Sequence, residues 1–363
     1  MKASGRLVLL TASVVLLVVT FEELQLGHGY VYFVNKYQKE EFRPINVSRG
    51  EQNVSIALVM LVARRSEHLN YKIALETVQC YAEHFNYGFY LINVLENATL
   101  VEKCPHKDFM FRRHCALSVM LPSIPYDWVL FLDADMAVVN PNHLVEQFLP
   151  KKPQAQIVFY DRIMNHEVMA GSYLLRNQQY ARDFLMFWAN YESKLPNSFH
   201  GTDNGAIHSV IVDFALPKLK EKREKCEEKY WKTSKNYADL SRYEVCMQRI
   251  LKNNTIPEIV ILPKGRHAWA RDGWLTNSVW SDRDFIFHGW QKKRLDRRGF
   301  AVWHSPLVYN NPFNLTICKG PKAFLNWRYK DSFIAPVLDV DRELFWTIKK
   351  MENEFETIAN SLS

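Results

Sequence analysis

No Cys-x-x-Cys or His-x-x-x-His pair occurs in the 363 residues, which removes the common zinc-site spacings. There is no Gly-x-Ser-x-Gly, no Walker loop and no Rossmann glycine fingerprint. A nucleophile-elbow hydrolase, a P-loop ATPase and a dinucleotide enzyme therefore each lack their defining segment. Internal repeats and low-complexity tracts are missing as well. So is any basic stripe: 46 Lys and Arg stand against 39 Asp and Glu, and the net charge is only +7 at pH 7. Both signs alternate over much of the chain, so nucleic-acid binding has no electrostatic footprint. No apolar run reaches the ~20 residues that span a bilayer comfortably.

Apolar content is 48% and charged content 23%, both ordinary for a globular chain with one large core. Aromatics are plentiful, with 10 Trp, 17 Tyr and 22 Phe. Most belong to a core, although such rings also stack on sugars. Lys2 and Arg6 precede the apolar run Leu7 to Val19, and Glu22 and Glu23 follow it. That pattern predicts a signal peptide or an uncleaved signal anchor over residues 1–21, with the remainder translocated. Residues 22–50, with Pro44 and Gly50, predict a polar stem, and 51–363 the folded part.

Acceptor sequons at Asn46, Asn53, Asn97, Asn253 and Asn314 agree with a secretory-pathway lumen. Cys80, Cys104, Cys115, Cys226, Cys246 and Cys318 could form three disulfides there. Their spacing leaves the pairing open.

Ser55–Ala63 is a short continuous apolar run, the pattern of a strand buried on both faces. Asn70 predicts a helix cap, with one apolar face continuing to about His84. Gly88–Val94, Asp127–Leu132 and Ala155–Tyr160 predict further strands, and Phe109–Met120 a second helix. Alternation of this kind predicts an α/β fold: a mixed, mostly parallel sheet flanked by helices. Residues 217–232 predict a charged, solvated helix with Glu221–Lys225 and Glu228–Lys232 pairs. Asp341–Ile358 predicts a C-terminal amphipathic helix with Leu344, Phe345, Ile348, Met351 and Phe355 on one side.

In such sheets ligands bind beyond the carboxyl ends of the strands. Asp133 and Asp135 stand there, directly after the buried run Asp127–Leu132. Two carboxylates at a buried strand end are costly unless something neutralises them. If the strand continued, both would point to one side and could share a hard divalent cation such as Mn²⁺ or Mg²⁺. Such a cation suits a departing diphosphate, whose charge it would offset as a Lewis acid. The structural alternative is a pair of exposed turn aspartates capping the next helix.

The segment WVLFLDADMAVVNP resembles the Asp-x-Asp region of retaining GT-A glycosyltransferases. Downstream, EVMAGSYLLRNQQYARDFLMFWANY and GTDNGAIHSVI are similar to glycosyltransferase family 34, whose members are galactosyl-, mannosyl- and xylosyltransferases. The likeness is greater still to a nematode-expanded, uncharacterised branch carrying the same domain. It implies a GT-A (nucleotide-diphospho-sugar transferase) fold over 51–363, with a C-terminal helical extension. It also implies type II Golgi topology, or secretion if the leader is cleaved. The implied activity is metal-dependent, retaining transfer from a UDP- or GDP-sugar to a glycan or glycoprotein hydroxyl, with the leaving phosphate accepting the proton. The membrane would be met only through an uncleaved leader, and nucleic acid not at all.

By the same resemblance Asp133 and Asp135 match the metal ligands. Gly171 and Ser172 match the donor-side Gly-Ser. Asp203 and Asn204 match the Asp-Gln pair beside the transferred sugar, Asn204 being one methylene shorter than Gln. His288, directly before Gly289, stands for a late metal-ligating His that family members place three residues before a Gly. Lys292 or Lys293 stands for a Lys on the diphosphate. Met169 replaces an Asn, and Asn165 or Glu167 could supply its contact. Arg64 and Arg65 follow the first strand, where a nucleotide base and ribose would sit. Arg294, Arg297 and Arg298 continue the basic cluster, most of it solvated surface. Trp269, Trp274, Trp290 and Trp303 are core residues or acceptor-groove linings. Two other readings stay open: a GT-A domain that binds glycan or donor without turnover, and a nucleotidyltransferase, against which the leader and sequons argue.

Overall fold

The computed structural model describes residues 54–265, 268–295, 301, 304–308 and 313–362. All of them lie in one unit, Asn46–Ser363. The leader, the stem, Asn46, Asn53, Arg297, Arg298 and Trp303 lie outside the described residues. Among the described residues no helix is long and apolar enough to cross a membrane.

The apolar run becomes β1 (Ile56–Val62), and all 7 of its residues are buried. Each fully buried aliphatic side chain of this kind contributes roughly 1.5–3 kcal/mol. β1 sits between β2 (Gly88–Asn93) and β3 (Trp128–Asp133), both parallel to it. The sheet continues through β6 (Ser172–Arg176), β5 (Ile157–Tyr160) and β7 (Ile259–Leu262) in the order β2-β1-β3-β6-β5-β7. β6 pairs antiparallel with both its neighbours, while β5 and β7 are parallel. β5 and β7 therefore point the same way as β3, and five strand ends open on one edge. This is the mixed, mostly parallel α/β sheet that the sequence predicts.

α1 (Lys72–Phe85) and α2 (Ala98–Lys103) link the first three strands, followed by α3 (Phe109–Met120). Asn86, left-handed at φ 56°, terminates α1. α3 packs with α4 (Gln179–Asn190), α5 (Thr202–Ala215) and α7 (Tyr237–Lys252) on one sheet face. That layer holds Phe111, Phe184, Trp188 and Val210 against Ala57, Val59, Val129 and Phe131. Leu58, Met60, Leu130 and Leu132, alternating with them, are equally buried. A smaller sheet, β4 (Met136–Val138), β9 (Ile286–His288) and β8 (Ala270–Asp272), runs in the order β4-β9-β8.

Several local expectations need correction. Asn70 does not cap α1: it closes a 3-10 turn over Arg65–Asn70, and Tyr71 takes the cap position without a side-chain bond. The charged stretch is no single helix. A 3-10 turn at Pro217–Leu219 precedes α6 (Lys220–Cys226), and a π-helical turn over Glu227–Trp231 follows. Nor is it wholly solvated. Arg223 is buried, pairing with Asp213 at 2.7 Å and with Glu227, while Tyr230 and Trp231 turn into the core. Lys220–Glu224 and Lys232–Glu228 are the pairs formed at i,i+4 on its outer face.

The C-terminal helix, α9 (Val337–Ser361), begins earlier than predicted, and its inner stripe is Val340, Leu344, Ile348 and Met351. Phe345 falls outside that stripe and is 49% exposed. The six cysteines pair as Cys80–Cys318, Cys104–Cys115 and Cys226–Cys246.

Candidate metal and donor site

Asp133 is the last residue of β3, and a turn at Ala134-Asp135 leads straight into β4. The two carboxylates therefore converge across a turn and not by strand alternation. The small sheet supplies the third group. β9 pairs with β4 so that His288 faces Met136, and with β8 so that His288 faces Asp272. The row Met136–His288–Asp272 thus crosses the three short strands, and Asp135, in the turn just before β4, adjoins it. Asp133, Asp135 and His288 each offer a ligand atom, and these atoms all lie within 4.8 Å of one another.

His288 Nδ1 donates to Asp272 Oδ1 at 2.7 Å, while Nε2 faces Asp135 Oδ1 at 3.3 Å. A carboxylate on the far nitrogen is the usual support for a metal-ligating imidazole, because it fixes the tautomer and aims Nε2 at the ion. Asp272 is itself clamped by Arg162, Nε to Oδ2 at 3.0 Å and Nη2 to Oδ1 at 2.8 Å. The backbone N–H groups of Gly289 and Trp290 donate to the Asp135 carbonyl at 3.0 and 2.8 Å. Gly289 has φ 105°, which favours glycine at this position of the His-Gly element. Gln291 Nε2 donates to Asp135 Oδ2 at 2.6 Å.

Arg113 of α3 bridges Asp133 and Asp203, reaching the latter at 2.6 Å. His114 follows, with Nε2 3.1 Å from Asp203 Oδ2, Nδ1 3.0 Å from the Tyr173 hydroxyl, and its ring stacked on Trp188 at 3.6 Å. Burial holds the His114 pKa down to about 4, against the pull of Asp203. The neutral ring thus donates from Nε2 to the carboxylate and accepts at Nδ1 from Tyr173.

Burial disfavours the charge on Asp203, yet Arg113 and His114 outweigh it and hold the carboxyl at about 2. Burial likewise opposes charge on His288, but Asp135 and Asp272 prevail and raise it to about 9. In the coupled pair, burial lifts Asp133 despite Arg113. Asp135 stays low, because His288 and Gln291 overcome its own burial.

The donor set of two carboxylates and one carboxylate-backed imidazole fits a hard or borderline divalent ion. Without one, a protonated His288 sits between Asp135 and Asp272 and, with Arg162 on Asp272, offsets their charge.

The other predicted residues are placed as follows. Gly171 passes beneath Asp133, where an added Cβ would collide with Oδ2, and its carbonyl accepts from the Asp133 N–H at 2.8 Å. Ser172 is buried, donating to the Phe131 carbonyl and accepting from Trp269 Nε1, both at 2.8 Å. Asp203 has no exposed surface, so it reaches Asp133 only through Arg113; Asn204, next to it, is half-buried. Lys292 and Lys293 open the short helix α8 (Lys292–Leu295) and are exposed. α8 packs near the Arg65–Asn70 turn, where Arg64 and Arg65 are exposed too.

Met169 is buried, and the two proposed substitutes have partners within the fold. Glu167 pairs with Arg162 at 3.1 Å, and Asn165 Oδ1 accepts from the Glu167 N–H at 3.2 Å. Trp269 and Trp290 are core residues at 1% exposure, and Trp274 is half-buried.

Sequence reasoning missed Arg113, His114, Arg162, Asp272, Gln291 and Tyr71. Tyr71 has its hydroxyl pKa raised to about 12, by burial first and then by the nearby Asp135. FRRHC puts charge on a helix that α/β alternation packs against the sheet, but it does not tell which arginine turns inward.

A family model described as "Protein of unknown function, DUF273" matches residues 78–301. The chain belongs to the DUF273 family. The match takes in Asp133, Asp135, His288 and every partner named above except Tyr71, while β1 and α9 lie outside it. No curated protein matches this DUF273 chain.

Among solved structures, a glycosyltransferase involved in glycosylation of the major capsid of PBCV-1 aligns at 12% identity and TM-score 0.39, covering 64% of this chain and 93% of that one. The apo-form glycosyltransferase GlyE of Streptococcus pneumoniae aligns at 13% and 0.33, covering 55% and 64%. A197 from STIV aligns at 12% and 0.25, covering 45% and 78%. Scores of this size fix neither a shared fold nor a reaction.

Proposed function

We propose that this DUF273 protein is a glycosyltransferase of the GT-A kind, transferring a sugar from a UDP- or GDP-sugar to a hydroxyl of a glycan or glycoprotein, with retention. The observation that carries the reading is the convergence of Asp133, Asp135 and His288 at the carboxyl edge of the sheet, with Asp272 behind the imidazole. The family 34 resemblance supports the retaining course.

Held by these three side chains, Mn²⁺ or Mg²⁺ would supply Lewis-acid neutralisation of the departing diphosphate. The remaining roles belong to the chain. Arg113 fixes Asp133 and keeps Asp203 anionic beneath it. Gln291 and the Gly289 and Trp290 N–H groups hold Asp135 in place. Gly171 keeps the space beside Asp133 free of a side chain. Lys292 and Lys293, exposed just after the His-Gly element, offer positive charge to the diphosphate. Asn204, half-buried beside Asp203, would turn its amide to the transferred sugar, as the family 34 resemblance implies.

Three disulfides support an oxidising lumen, and the N-terminal leader supports type II Golgi topology or secretion.

Nucleotide release from a panel of UDP- and GDP-sugars, with and without Mn²⁺ and with a mixed glycoprotein acceptor, tests this. At least one donor should turn over only with metal, and Asp135→Asn should lower that rate about 100-fold or more. Silence across the panel would favour the binding-only alternative. Turnover indifferent to Asp135→Asn would remove the site from the reaction.

A further inference from the structure

We propose that Gln291 makes the metal site selective against Ca²⁺, by withholding one carboxylate oxygen of Asp135 from the ion; this rests on the reading of Asp133, Asp135 and His288 as metal ligands. Each of the two acids has one oxygen committed to a protein donor and one left over. Arg113 Nη1 donates to Asp133 Oδ1. Gln291 Nε2 donates to Asp135 Oδ2 at 2.6 Å. Asp133 Oδ2 lies over Gly171 and takes no hydrogen bond among the described residues. Asp135 Oδ1 faces His288 Nε2 at 3.3 Å. The atoms left for an ion are therefore Asp133 Oδ2, Asp135 Oδ1 and His288 Nε2.

Both donors are themselves held. Arg113 is buried, with Nη2 on Asp203 Oδ2 at 2.6 Å. Asp203 is kept in place by His114 Nε2 and the Thr202 hydroxyl, both at 3.1 Å. The half-buried Gln291 is fixed through its backbone. Its N–H donates to the Gly289 carbonyl at 2.9 Å, and its own carbonyl accepts from the Arg294 N–H at 3.0 Å. The Gly289 and Trp290 N–H groups donate to the Asp135 carbonyl. The four residues from His288 to Gln291 therefore wrap one aspartate, with the imidazole at Oδ1 and the amide at Oδ2.

Ligating carboxylates are commonly hydrogen-bonded at their other oxygen. Here that bond decides which ion is taken. Ca²⁺ needs about six to eight oxygens and often gathers them from bidentate carboxylates. Two single oxygens and an imidazole give it too few. An ion of octahedral preference such as Mn²⁺ needs only about three more oxygens, which a diphosphate and water can supply. The imidazole strengthens the choice, because nitrogen ligands suit transition ions better than Ca²⁺. Arg113 withholds the Asp133 oxygen in the same way, but its loss would also strand the buried Asp203. Gln291 is the position at which the choice of ion can be changed without that cost.

The full chain is titrated with Mn²⁺ at pH 8 without nucleotide, the free ion being read by electron paramagnetic resonance, and bound Mn²⁺ is then displaced with Ca²⁺. The wild type should prefer Mn²⁺ by about tenfold or more. Gln291→Met keeps the length of the side chain and removes its N–H donor, and should shift the ratio toward Ca²⁺ by about tenfold. A general loosening of the site would weaken both ions alike and leave the ratio where it was. The Gln291 side chain makes no other bond among the described residues, so the variant should keep the wild-type melting temperature. A wild type that takes Ca²⁺ as tightly as Mn²⁺ would overturn the proposal whether or not the variant folds, and so would an unchanged ratio in folded Gln291→Met. Either result leaves Mn²⁺ uptake, and with it the metal site, standing. No Mn²⁺ uptake by the wild type would remove the metal site and its selectivity together.

Discussion

Arg113 is 4% exposed, and its guanidinium joins the two acids on which the site is built. Its removal would leave Asp203, wholly buried, with only neutral partners, the His114 imidazole and the Thr202 hydroxyl. Breaking a buried pair from one side costs about 3–5 kcal/mol. Arg113→Met should lose that much stability in urea denaturation, and a loss under 1 kcal/mol would mean that Asp203 finds compensation elsewhere.

His288 gives a second residue-scale expectation. In the cation-free protein its pKa is raised to about 9, so it is protonated at neutral pH. A metal needs the neutral ring, and binding must expel that proton. Affinity should therefore rise about tenfold per pH unit between pH 7 and 9 and level off above. Calorimetry across that window checks the slope, which His288→Gln should abolish.

Asp133, Asp135 and His288 were legible as residue types at a strand end and before a glycine. Arg113 was not, because helical periodicity treats arginine as surface unless its carboxylate partners are known, and those are 20 and 90 positions away. Asp272 carried no local sign of its role, which exists only through the β8–β9 register.

At the scale of elements, long apolar runs were readable: β1, β2, β3 and α3 stand within a residue or so of their predicted bounds. The β4-β9-β8 sheet was not, since strands of 3 residues are too short to show a period. Yet that sheet brings His288 to Asp135. The stretch 217–232 misled because Arg223 satisfies Asp213 and Glu227 inside the fold, a use of charge that composition cannot distinguish from solvation.

The disulfides could be counted but not paired. Cys80–Cys318 spans 238 residues and ties α1 to the segment before α9. In the chain-entropy account a loop of that length contributes about 5 kcal/mol. Cys80→Ser together with Cys318→Ser should lower the melting temperature well below that of the wild type. An unchanged melting temperature would show that the crosslink constrains little.

Across the whole molecule, one sheet edge gathers two unlike features. At β3 it presents two acids and an imidazole that, with no cation bound, keeps its own proton between Asp135 and Asp272. At β5 and β7 it opens a cavity of about 510 Å³ whose lining includes side chains of both charges. The α/β class follows from alternating buried strands and helices, and the DUF273 match spans both features apart from the α9 wall. The central claim is that Asp133, Asp135 and His288 hold one divalent ion. Electron paramagnetic resonance of free Mn²⁺ tests it most directly, by titrating the ion into the full chain at pH 8 with UDP present. The account predicts that one equivalent is taken up and that Asp135→Asn takes up none; equal uptake by the wild type and the variant would contradict it.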